Sequence, residues 1–130
     1  MEREQEHLND SRYMRYHKDV YLPRNIIEAA LEFLPDTGVG LGRSRHYDFV
    51  MTERGLPSVV NMPEEYEIID VTVIRDTFAV FRVCIRFPWP GKMSDFVTVL
   101  EGDYEMVSSY WNAKRDRHRT LDEVQYEQSP

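Results

Sequence analysis

Apolar and polar positions divide this chain into a helical first half and a β-rich second half. Residues 1 to 19 are polar, anchored only by Tyr13, Met14, Tyr16 and His17, and read as a frayed or weakly helical lead-in. From Leu22 the period becomes helical. Ile26, Ile27, Ala30, Leu31 and Leu34 recur at helical spacing, Pro23 suits the first turn, and Pro35 stops the run. The loop DTGVGLG, Asp36 to Gly42, has glycine at alternate positions. No strand is expected before it, so neither dinucleotide nor P-loop grammar is satisfied and it reads as a flexible helix-to-helix connector. Ser44 offers a cap for a second, shorter helix with Tyr47, Val50, Met51 and Arg54 along one side and Gly55 as its stop.

Beyond LPSVVNMPEE the runs become β-rich: Tyr66 to Arg75, Phe78 to Phe87, Asp95 to Glu101 and Tyr104 to Asn112. The short links between them suit hairpins, and successive hairpins give an antiparallel meander. The expected fold is therefore α+β, with N-terminal helices packed on a four-stranded antiparallel meander sheet in one domain over residues 20–130. Alternation in the second strand assigns Ala79, Phe81, Val83, Ile85 and Phe87 to the helix-covered face. Phe78, Val80, Arg82, Cys84 and Arg86 fall on the other, where the two arginines make an anion site conceivable. Trp111 is expected among the core rings, and Trp89, between two prolines, is expected as an exposed contact point for RNA or protein.

Composition narrows the function classes. With 130 residues there is room for one hydrophobic core, and 42% hydrophobic residues suffice to fill it. A single cysteine, Cys84, forbids an internal disulfide and leaves a zinc site of the usual kinds without its thiolates, which points to a reducing, cytoplasmic setting. No stretch has the ~18 consecutive apolar residues of a membrane span, and the polar start has no apolar leader segment, so no membrane association is expected. The formal charge of −7 argues against indiscriminate nucleic-acid binding, and no DNA partner is expected. The charge is unevenly spread. Glu2, Glu4, Glu6 and Asp10 crowd the start, whereas Lys114, Arg115, Arg117 and Arg119 face only Asp116 near the end.

That basic stretch carries the densest chemistry. In SSYWNAKRDRHRTLDEVQY, His118 is flanked by Arg117, Arg119 and Thr120, with Asn112 upstream and Tyr126 downstream. Cleaving RNA through its own 2′-hydroxyl needs a base, an acid for the departing 5′-oxygen, and cations to steady the phosphorane. Imidazoles titrate in the right range for both proton transfers and guanidinium groups suit the third task. A second imidazole is available in SRHYDF, where Arg43 and Arg45 surround His46; His7 and His17 lie in the polar lead-in. Cys84, mid-strand among apolar neighbours, reads as an inert core thiol rather than a nucleophile.

Two segments carry a family resemblance. The helix leading into SRHYDFVMTERGLP is similar to the helix-borne Ser-Arg-His followed by Glu-Arg-Gly of RelE-like proteins, and the final strand into YWNAKRDRHRTLD is similar to a strand ending in Asn followed by His-x-Thr-Leu-Asp. From Leu22 to Tyr126 the chain thus resembles the small RNase toxins of the barnase, EndoU, colicin and RelE superfamily. The resemblance implies a metal-independent, cofactor-free endoribonuclease with His46 and His118 as the acid–base pair, either one being acid or base. It also implies Arg82 or Arg86 at the phosphate, Thr120 orienting the phosphate or a histidine, and Tyr126 completing the pocket. Arg117 and Arg119 are the remaining candidate phosphate ligands. Ribosome-dependent members are strongly basic, so this acidic chain is expected to cut free RNA such as tRNA and to be restrained by an antitoxin or other protein partner. The rival expectation is a non-catalytic scaffold that binds and regulates another protein through its acidic, aromatic surface.

Overall fold

The computed structural model describes residues 11–113 and 126–128 of the chain. Its elements are β1 (Tyr13–His17), α1 (Arg24–Phe33), β2 (Gly42–Arg43), α2 (Arg45–Arg54), β3 (Glu67–Ile74), β4 (Val80–Pro88), β5 (Ser94–Glu101), a 3₁₀ turn (Gly102–Tyr104) and β6 (Glu105–Ala113). The strands form one six-stranded sheet in the order β1-β3-β4-β5-β6-β2. This overturns the four-stranded antiparallel meander. Strands β3 to β6 are antiparallel neighbours, but β1 is added antiparallel to β3 at one edge and β2 runs parallel to β6 at the other, so the sheet is mixed.

Both added strands come from segments whose sequence signal is weak. In YMRYH, Met14 and Tyr16 turn towards the core while Arg15 and His17 turn the other way. The alternation is there, but half of it is polar because the outer face of this sheet is polar. Residues 13–17 are therefore part of the sheet rather than a frayed lead-in. The second strand, Gly42–Arg43, lies in the glycine-rich connector and is too short to show any period.

The helices do form where local chemistry places them. Burial of Ile26 and Ala30 holds α1 on the sheet, and Leu34 continues the buried stripe before Pro35. Filling the core with one such isoleucine contributes about 1.5–3 kcal/mol. Ser44 caps α2, its hydroxyl accepting from the Tyr47 N–H at 3.0 Å, and Gly55 ends the helix with φ +63°, a left-handed conformation that costs glycine least. Tyr47 and Val50 enter the same core, and Arg54 donates to the Ser109 carbonyl of β6 at 2.9 Å. Both helices thus cover one face of the sheet, with Val83, Ile85, Phe87, Phe96 and Leu100 beneath them. No described helix is long and apolar enough to cross a membrane.

Two register shifts in the β3–β4 pair alter the expected faces. Thr72 pairs with Arg82 but Val73 pairs with Val80, so the strand bulges at Phe81. Val80 takes the core-facing place that strict alternation assigns to Phe81. The Phe81 ring instead lies 4.9 Å from Tyr13, with the Arg82 guanidinium 5.3 Å above it. Trp89 also differs from expectation. It is half-buried against the core, 5.5 Å from Phe96 and 6.0 Å from Trp111, because the turn closed by the Lys92 N–H to Trp89 carbonyl bond folds it back over the sheet. Trp111 packs in this cluster and donates its indole N–H to the Gly55 carbonyl.

Candidate active site

The face of the sheet away from the helices concentrates the titratable groups. Its centre is dry: Cys84 packs with Ile69 and Val97, and Val99 and Tyr110 lie alongside. Burial first, then the neighbouring Asp70 charge, pushes the Cys84 thiol well up, so it stays protonated and unsuited to nucleophilic work. Around this centre, cross-strand register sets rows of polar side chains. Arg15 pairs with Thr72 and Thr72 with Arg82, putting two arginines in one row on either side of a buried hydroxyl. In the next row His17 pairs with Asp70 and Asp70 with Cys84.

Arg82 and Arg86 are both buried, and both meet carboxylates. Arg82 is ion-paired with Glu101, and Arg86 Nε contacts Asp95 Oδ2 at 2.9 Å while its Nη2 donates to the Ala113 carbonyl at 2.7 Å. A cleft of about 280 Å³ beside Arg86 is lined by Glu65, Glu67 and Asp95, a surrounding that repels phosphate. The other polar cluster of this face lies at the edge where β1 runs, and Asp70 belongs to it. There Arg15 Nη2 donates to the Tyr126 hydroxyl at 3.1 Å with its guanidinium carbon 4.6 Å from that ring centre, and the Glu127 N–H donates to the Arg15 carbonyl at 2.7 Å. Tyr126 meets the fully buried His17 edge-on at 5.0 Å. The Asp19 N–H donates to His17 Nδ1 at 3.0 Å, so the neutral imidazole carries its proton on Nε2. Burial, reinforced by Asp70, pushes the Tyr126 phenol up, so it keeps its proton at neutral pH while its oxygen accepts from Arg15.

The residues expected from the sequence do not all meet. Arg82, Arg86 and Tyr126 share the polar face. His46 stands at the start of α2, on the helix-covered side, and its Nε2 is buried with no hydrogen-bond partner among the described residues. Arg117, His118, Arg119 and Thr120 lie outside the described residues. Asn112 is buried in β6, paired in register with Asp95. Sequence reasoning missed Arg15, His17 and Thr72. For Arg15 and His17 the signal was present in the YMRYH alternation, but a five-residue run with a polar outer face does not separate itself from a loop; Thr72 gains its place in the row only through the pairing of β3 with β1 and β4. Among the described residues no group of three or more His, Cys, Asp or Glu is placed to hold a metal ion.

No family model, curated protein or solved structure matches this chain.

Proposed function

We propose that this chain is a metal-independent endoribonuclease, toxin-like in kind, that breaks RNA by attack of the substrate's own 2′-hydroxyl and uses the polar face of the sheet. The observation supporting it is the Arg15–Tyr126 contact: a cation holds a protonated phenol at the end of the segment that carries His118. At the segment's other end, the Ala113 carbonyl is bonded to Arg86 on the same face. In this reading His118 takes the 2′-hydroxyl proton, the 2′-oxygen attacks phosphorus, and Tyr126 gives its proton to the departing 5′-oxygen. The products are a 2′,3′-cyclic phosphate and a 5′-hydroxyl. Arg15 and Arg82 bear the charge of the phosphorane, Arg117, Arg119 and Thr120 supply further phosphate contacts, and Arg86 supports the end of β6. His46, on the other side of the sheet, is left out. The substrate class is free RNA, tRNA included, and restraint by an antitoxin-like protein belongs to the same proposal.

The test is incubation of total RNA in EDTA with wild type, His118→Ala, Tyr126→Phe and His46→Ala. Wild type and His46→Ala are expected to cleave, leaving cyclic phosphate ends, while His118→Ala and Tyr126→Phe fall by about 10²–10⁴-fold. Loss in His46→Ala, with the fold intact, would move the chemistry to the helix side. A second reading, a non-catalytic protein-binding scaffold, is favoured by one observation: Arg82 and Arg86 already have carboxylate partners. Absence of cleavage by folded wild type would select it.

A further inference from the structure

Away from the polar face, a groove of about 580 Å³ runs between α1 and the beginning of β3. Its walls are apolar, with Leu22, Ile27 and Leu31 facing Tyr66 and Ile68. Leu31 is 50% exposed, off the buried stripe of Ile26, Ala30 and Leu34, and lends its apolar side chain to the groove rather than to the core. The rim is acidic. Glu64, Glu65 and Glu67 line it, and Lys18, the cation among its lining residues, is already bonded to Glu67 at 3.1 Å. The cleft beside Arg86 shares Glu65, Tyr66 and Glu67, so the acidic border continues past the groove to Asp95.

Backbone topology says what shape fits here. Glu67 and Ile68, the first two residues of β3, both line the groove, and successive strand side chains leave on opposite faces, so the groove opens along the strand's edge rather than over one face. The neighbouring β1 pairs with β3 only from Asp70 to Ile74. The Lys18 N–H still reaches the Ile69 carbonyl at 2.9 Å, and the chain then turns through the His17–Tyr21 bridge towards α1. Among the described residues, no strand flanks Glu67 and Ile68 on that side.

We propose that this groove docks an extended segment of a partner protein, one that adds to the edge of β3 and alternates apolar residues with lysine or arginine. Strand addition supplies main-chain hydrogen bonds, while alternate side chains enter the apolar wall or meet the rim. The rim's sign selects against RNA and anionic lipid surfaces. It also selects against the chain's own first ten residues, where Glu2, Glu4, Glu6 and Asp10 outnumber Arg3. The inference uses no residue of the ribonuclease reading and stands or falls separately from it.

Fluorescence anisotropy of a rhodamine-labelled peptide alternating lysine and valine, about eight residues long, tests this with the full chain. The same peptide with glutamate for lysine is the control. Wild type is expected to bind the basic peptide and not the acidic one. Leu31→Lys and the double variant Glu64→Lys/Glu65→Lys, both at exposed positions that leave the core intact, are each expected to weaken binding at least about tenfold. No binding of the basic peptide by wild type, equal binding of the acidic one, or unchanged binding in both variants would overturn the proposal.

Discussion

Arg86 shows what one side chain's surroundings do to its role. Two-residue periodicity assigns it to the outer face of β4, and it is there, but it is 7% exposed rather than solvated and spans Asp95 on β5 and the end of β6. Period tells which face a residue takes; which carboxylate it meets depends on the register of another strand, and that is set by pairs of residues rather than by either run alone. Breaking such a pair leaves the partly buried Asp95 charge without its counter-ion, which is costlier than removing both. Arg86→Met is therefore expected to destabilise by about 3 kcal/mol or more, and Arg86→Met/Asp95→Leu by less than Arg86→Met alone. Urea denaturation of the two variants and Asp95→Leu closes the cycle. A double variant less stable than Arg86→Met would mean that the pair is not what holds this corner.

Among elements, α2 was legible because its signals are local. A serine three residues before the Tyr47 N–H it caps, and a glycine where the chain turns left-handed, act within a few residues of themselves. Each has a measurable share. Ser44→Ala loses the cap and Gly55→Ala places a β-carbon at φ +63°, and each is expected to cost about 1 kcal/mol of unfolding free energy, read from urea denaturation. No neighbour lies within 4 Å of a β-carbon at Gly55, so its cost isolates backbone conformation from crowding; a neutral Gly55→Ala would show that the helix end relaxes. The edge strands were not legible for the complementary reason. The five residues of β1 are held by partners far along the chain in β3, from Asp70 to Ile74, and β2 by β6, so their own composition need not announce them. The bulge at Phe81 belongs to the same class: it reverses the faces of Val80 and Phe81 with nothing in the run itself to mark it. It follows that the outer-face site was half legible, its β4 arginines visible and its β1 members hidden.

In the whole molecule, the second buried layer around Cys84 makes stability depend on protons. The phenols of Tyr110 and Tyr126 and the thiol of Cys84 are all pushed up, in each case first by burial and then by nearby negative charge, Asp70 prominent among the sources. On the helix side burial takes the Tyr47 phenol up to about 12. A raised pKa in an acid means that the folded chain holds its proton more tightly than the unfolded chain. Below the ordinary values, 9.0 for the thiol and 10.0 for the phenols, both states keep the proton and the stabilisation is fully present. Above them the unfolded chain ionises first, and stability falls until the folded groups titrate too, with each group contributing a slope of about 1.4 kcal/mol per pH unit at most. The urea midpoint is therefore expected to fall steeply from about pH 9 upward. Tyr110→Phe removes one titrating group, and its midpoint is expected to fall less steeply over the same range. A midpoint indifferent to alkali would show that water reaches this layer and that the polar face is open rather than packed. A wild-type fall unchanged by Tyr110→Phe would assign the proton linkage to Cys84, Tyr126 and the helix-side phenols instead.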